Sequence, residues 1–224
     1  LPPNLYRAVI DEAHKHGLRV TAHIFALEDA KGLLKAGIDA FAHGVRDRDI
    51  DEEFVALIKQ RTDVVLVPNL PDRGVAADLS WLSGTVPEEE LKKLQDAATD
   101  RPPVQQAFAI QARNLAKLNA AGIRIALGTD GSASWSPHAE MADMVAAGMT
   151  PAQVIVAATR NAADFLRLAD LGTVEAGKSA DFVVLEANPL DDITNTRRIA
   201  SVYLRGTAVE RAALSARWTG RATQ

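Results

Sequence analysis

The chain has 224 residues and a formal net charge of −4, with 47% hydrophobic and 24% charged residues, the proportions of an ordinary soluble globular protein. Interspersed signs leave no basic patch for nucleic acid and no polybasic membrane anchor, and no apolar run reaches the roughly 18 residues that cross a bilayer. The absence of cysteine excludes disulfides, thiolate metal sites and a cysteine nucleophile together, and leaves the compartment open.

The first residue is Leu1 rather than Met, and no targeting segment precedes the first helix, so the chain is expected to be processed or to be a piece of something longer. Residues 4–17 form that helix, with Asn4 as its cap, Leu5, Ala8, Val9 and Ala13 at helical spacing and Gly17 as its stop. A strand at 18–23 follows. A helix at 28–36, stopped by Gly37, leads to a strand at 38–43, and a helix at 51–61 leads to a β-branched strand at 64–68. Strands alternating with helices of this length imply parallel βα units.

Residues 69–103 break the rhythm with Pro71, Gly74, Gly84, Pro87, Pro102 and Pro103, and Thr85 to Glu88 has the form of a capping box opening a short helix to about residue 98. An insertion in that position reads as a loop or lid over a site. A long helix at 104–121 and a strand at 123–130 resume the pattern. Helices at 136–147 and 150–168 come next, the second with Thr150 as cap and Pro151 at its first position. From Gly172 the chain reads as strands at 172–177, 180–186 and 200–204, a separate β-rich appendage.

The chemistry lies at strand ends. The runs ending in His23, His43 and Asp130 each deliver one metal-competent side chain, as strands do at the top face of a (β/α) barrel. Imidazole and carboxylate suit a catalytic divalent ion such as zinc, which keeps a position open for water. Taken singly, each has an ordinary alternative: a core histidine for His23 and His43, and a turn or N-cap aspartate for Asp130. His138, at a helix start, reads equally as a polar group near a substrate or as an exposed first-turn residue, and Glu140 reads as a first-turn acid favoured by the helix dipole. His14 and His16 read as solvated. The run Arg46-Asp47-Arg48-Asp49 reads as a solvated loop, Trp81 and Trp135 as pocket residues, and Trp218 as part of the tail.

Histidine at one strand end, histidine at the next and aspartate two strands later, together with 136–148, 150–163 and above all 171–190, resembles the amidohydrolase superfamily, in the branch containing imidazolonepropionase and prolidase-like dipeptidases. The resemblance implies the C-terminal half of a TIM-like (β/α)8 barrel, strands five to eight, over residues 1–170, and the C-terminal strands of a small β-sandwich over 171–224. It implies His23 and His43 as metal ligands, Asp130 as ligand and general base, and His138 near substrate. The implied cofactor is one or two divalent ions, zinc first and iron second, and the implied substrate an amide, cyclic amide or dipeptide.

Members of that family also supply a His-x-His pair and often a carboxylated lysine from the first half of the barrel. No such pair precedes His23 in a strand; His14-Lys15-His16 lies in a helix. The missing N-terminal half is therefore an expected partner, a homo-oligomer stays open, and the isolated chain is expected to be inactive. Two alternatives stand beside this reading: a fragment with a structural role only, and another (β/α) barrel class, against which no strand here ends in lysine.

Overall fold

The computed structural model describes residues 1–131 and 133–219. Its first part alternates as the sequence pattern predicts: α1 (Pro3–Lys15), β1 (Thr21–His23), α2 (Leu27–Lys35), β2 (Ala40–Ala42), α3 (Glu52–Lys59) and β3 (Val65–Val67). A 3-10 turn at Ser80–Leu82 and α4 (Glu88–Ala97) form the insertion, after which come α5 (Pro102–Ala120), β4 (Arg124–Ile125), α6 (Ser136–Ala146), α7 (Pro151–Ala158) and α8 (Arg160–Leu166). The C-terminal part holds β5 (Phe182–Leu185), a 3-10 segment at Ile193–Arg197, β6 (Ile199–Leu204), β7 (Thr207–Ala208) and α9 (Arg211–Thr219).

Strands β1 to β4 form one parallel sheet in chain order, and β5 to β7 a separate antiparallel one. Alternation along the strands sends successive side chains to opposite faces. Phe41, Leu66 and Ile125 stand in register and enter the main core with Phe54 and Ile58 of α3 and Leu115 and Leu118 of α5. Each fully buried side chain of this kind contributes about 1.5–3 kcal/mol by leaving water. The opposite face carries the smaller Ala40, Val65 and Ala126, met by Ala162 and Phe165 of α8. Ile193 belongs to the main core as well, which ties the C-terminal part to the first.

Several expectations are corrected by the structure. Helix α1 is capped at Pro2 and begins at Pro3, so Asn4 lies inside it. The predicted capping box at Thr85 is not formed: α4 is capped at Pro87 without a side-chain bond, and Glu88, Glu89 and Glu90 in its first turn complement the helix dipole instead. The helix expected over 150–168 is two helices, because the backbone turns at Thr159 (φ −121°, ψ −87°) and the Asn161 amide reaches back to the Ile125 carbonyl at 2.8 Å. Residues 172–177 are not a strand: Gly172 has φ +87° and packs against Ala163 and the backbone of Arg160, so the chain turns there. Helix α9 was not foreseen, and residues 220–224 of the expected C-terminal part lie outside the described residues.

Buried polar groups hold the loop after β2. Asn114 of α5, 3% exposed, accepts from the Ile50 amide at 2.8 Å and donates to the carbonyls of Val45 and Arg48 at 3.0 and 2.9 Å. Asp47 accepts from the Leu27 amide at 3.0 Å, and exposed Asp49 pairs with Arg113 at 2.8 Å, so the run at 46–49 is a surface loop fastened at two points. His14 is fastened too, 2.8 Å from Asp39. Because Asn114→Ala removes the partner of the Ile50 amide and of the Val45 and Arg48 carbonyls, it should lower unfolding free energy by about 2–4 kcal/mol. A urea midpoint within error of the parent protein would remove Asn114 from this role.

Candidate functional site

The in-step parallel ladder brings the C-terminal strand ends to one level. His23 is opposite Ala42, and Ala42 opposite Val67; one residue on, the His43 amide donates to the Val67 carbonyl at 2.8 Å. By alternation His23 shares the face of Ala40 and Ala42, opposite the one that packs on α3 and α5. The two imidazoles meet edge to face with ring centroids 4.5 Å apart. Asp130, five residues beyond β4, places its Oδ2 3.6 Å from Nε2 of His43.

The backbone at these ends is unusual. His43, Asn69 and Asp130 have φ values of 69°, 42° and 50°, a left-handed region that costs non-glycine residues on the order of 1 kcal/mol each and clusters at functional sites. Gly128 lies beside them. A Cβ there would stand 2.6 Å from Oδ1 of Asn69 and collide with Val67, so the close approach of the β3 and β4 ends requires glycine at that position.

His43 is buried and His23 and Asp130 are exposed. Burial, and after it the charge of Arg46, hold the His43 imidazole below the usual histidine range, which keeps the ring neutral at pH 7 with a lone pair to offer. Its Nδ1 is buried without a hydrogen-bond partner, as are Nε and Nη2 of Arg46 and Oδ1 of Asn69. Two imidazoles, one of them with an unpartnered nitrogen, and one carboxylate fit a divalent ion by donor chemistry. Among the described residues, no group of three or more His, Cys, Asp or Glu already stands in metal-holding geometry.

Beyond Thr129 lies a cavity of about 480 Å³ walled by the segment after β3, α4, α6 and Arg197. His138 is half-buried beside it: its Nδ1 is 3.1 Å from the Thr196 hydroxyl and its ring lies 6.1 Å from that of Trp81. Burial lowers its pKa, and the charge of Arg197 lowers it further. It makes no contact with the His23, His43 and Asp130 group that the structure records. Trp81 and Trp135 both line the cavity, as the sequence reading expects.

Glu140 is the residue that sequence reasoning misjudged. It is 4% exposed, and both its carboxylate oxygens accept from the Leu70 amide, at 3.0 and 3.1 Å. This fixes the chain directly after Asn69. A first-turn glutamate looks the same in sequence whether it faces water or a neighbouring strand end; only its place on the Met141 and Met144 face, which is buried, hinted otherwise.

Comparisons with known proteins bear on this arrangement. The family model described as the amidohydrolase family matches residues 1–209. An uncharacterized protein of Mycobacterium tuberculosis is 30% identical over 171 residues, covering 73% of this chain and 41% of that one. The imidazolonepropionase of Agrobacterium fabrum is 34% identical over 175 residues, covering 69% and 42%. Among solved structures, an Xaa-Pro dipeptidase with methionine bound in its active site superposes with a TM-score of 0.67 at 26% identity, covering 94% of this chain and 49% of that one. The chain thus spans less than half the length of these relatives.

Burial pushes the Glu140 carboxyl up to about 8, whereas the unfolded chain ionises it near 4.5. The folded protein therefore holds the extra proton between those values, and stability should fall as pH rises from about 4.5 to about 8. Glu140→Gln keeps an acceptor for Leu70 and should flatten that fall, leaving the part due to Asp143, which burial raises from 3.8 to about 7. Urea midpoints at pH 5 and pH 8 measure it; an equal loss in both proteins would show that Glu140 does not carry the proton.

Proposed function

From the premise that this chain belongs to the amidohydrolase family, we propose that it forms part of a metal-dependent hydrolase of C–N bonds, with His23, His43 and Asp130 at its reacting centre. The observation that carries this reading is that His43, at the end of β2, stands beside both the His23 ring, with centroids 4.5 Å apart, and the Asp130 carboxylate beyond β4, at 3.6 Å. In it, β1 to β4 correspond to the fifth to eighth strands of a (β/α)8 barrel within residues 1–170. The antiparallel sheet then belongs to the small sandwich within 171–224.

His23 and His43 would hold the ion through neutral ring nitrogens, with Asp130 as a third donor. When bound, a divalent ion supplies a water acidified from a pKa of about 15.7 towards 7 and polarises the substrate carbonyl; zinc fits the donors first and iron second. Asp130 takes the proton of the attacking water and passes it to the departing nitrogen. Its exposed carboxylate, with a side chain 70% accessible, is free to face both. Burial of the His43 ring, and after it the charge of Arg46, keep that ring deprotonated. His138 faces substrate from the cavity side.

The substrate class in this reading is an amide, cyclic amide or dipeptide. A further part of the barrel, and its ligands, pairs with β1, which among the described residues is hydrogen-bonded on one side only, to β2. Exposed Leu5 and Val9 on α1 and Leu18 and Phe25 around β1 support that view, because an open edge flanked by apolar side chains is otherwise an aggregation hazard.

In the enzyme that contains this chain, Asp130→Asn should lower turnover of a responsive Xaa-Pro dipeptide or imidazolone by roughly 10²-fold or more while the fold stays intact. The 224-residue chain by itself should show no turnover, because ligands misplaced by about 1 Å can cost on the order of 10²-fold in rate. Undiminished hydrolysis by Asp130→Asn would remove that residue from the chemistry, and metal-dependent turnover by the isolated chain would contradict the need for further strands.

A further inference from the structure

The cavity beside Thr129 is lined by three arginines, Arg73, Arg101 and Arg197, and their situations differ. Arg101 donates to Asp72 at 2.6 Å, and Arg73 lies 3.7 Å from Asp143. Arg197 has neither kind of partner among the described residues. Its guanidinium lies over the Trp81 ring, 4.3 Å from the centroid, and its Nε is buried without a hydrogen-bond partner. Burial is the main influence on its pKa and lowers it; Asp192 and Asp143 act on it only through space.

A half-buried guanidinium whose Nε is buried with its hydrogen bond unmade calls for an anion, since leaving a charged donor unsatisfied is costly and a carboxylate can take its fork in two parallel bonds. The acids around it do not supply one. Asp72 is held by Arg101 and by the Gly74 amide, and Asp78 by the Ser80 amide and hydroxyl. Glu140 is engaged with Leu70 and, like Asp143, is pushed by burial into or above the neutral range. The remaining lining includes Trp81, Trp135, Leu70, Leu79 and Leu94, an apolar wall of the kind that takes the body of a small molecule, and about 480 Å³ lies within the usual size of such sites.

We propose that this cavity is a substrate subsite in which Arg197, braced on the Trp81 ring, grips a carboxylate carried by an apolar part of the substrate. The proposal rests on the reading of Asp130 as the reacting centre, since Thr129 joins the two. It narrows the substrate class to amides that bear a free carboxylate away from the scissile carbon. Trp81 acts here as a platform: it fixes the guanidinium plane and shields it from water, which strengthens the ion pair.

The test is binding without turnover. N-acetyl-L-phenylalanine and its amide differ only in the carboxylate, and two of the three tryptophans, Trp81 and Trp135, line the cavity, so tryptophan fluorescence excited at long wavelength reads occupancy. The acid should bind at least about tenfold more tightly than the amide. Arg197→Met should erase that preference, and Arg197→Lys, which keeps the charge and guards against a folding defect, should retain part of it. Equal binding of acid and amide, no binding of the acid, or a preference that survives in Arg197→Met would each overturn the subsite. Because the readout needs neither metal nor hydrolysis, loss of this preference with a normal Asp130→Asn effect sinks only the subsite. An intact preference with an inert Asp130→Asn substitution sinks only the hydrolase reading.

Discussion

Parallel hydrogen bonding in step between β1, β2, β3 and β4 is the constraint from which the rest of the structure follows. Parallel strands joined by helices present all their C-terminal ends at one edge, and the register Thr21 to Ala40 to Val65 to Arg124 leaves no strand displaced along its length. His23 and Asp130, 107 positions apart in sequence, therefore both come to stand beside His43. Slipping β1 by a residue would turn His23 to the face of Phe41 and Leu66, since side chains alternate.

A register alone does not aim side chains, and the protein adds buried clamps to do so. Asn114 ties the loop beyond His43 to α5, and Glu140 ties the chain beyond Asn69 to α6. These polar bonds are sheltered from water, where a lost partner is expensive. They fasten the chain just beyond His43 and Asn69, whose left-handed backbone conformations an unrestrained loop would relax. Gly128 completes the arrangement by letting the third and fourth strand ends come close.

Much of this was legible before any coordinates. The alternation of β-branched runs with amphipathic helices located all four parallel strands, and glycines after helices marked their ends, because Gly17, Gly37 and Gly122 are needed at positive φ. The strand-end histidines and aspartate stood out because short apolar runs rarely finish on such residues three times. What sequence could not carry was tertiary: Glu140 differs from a surface acid only through its contact with Leu70, seventy positions away, and Asp47 differs from a solvated charge only through its bond to Leu27. The break at Thr159 was hidden for the same reason, as it is set by the Asn161 bond to Ile125 rather than by a helix-breaking residue. Arg197 carried no signal at all, since its neighbours Trp81 and Asp143 come from distant elements.

The central claim is that the aligned strand ends make one metal-binding place from His23, His43 and Asp130. A cobalt(II) titration followed by visible absorption examines it directly, because the ligand field reports which donors are bound. The expected result is a weakly held Co²⁺ at one site per chain whose spectrum changes in each of His23→Ala, His43→Ala and Asp130→Ala. A spectrum and stoichiometry indifferent to all three substitutions would contradict the account.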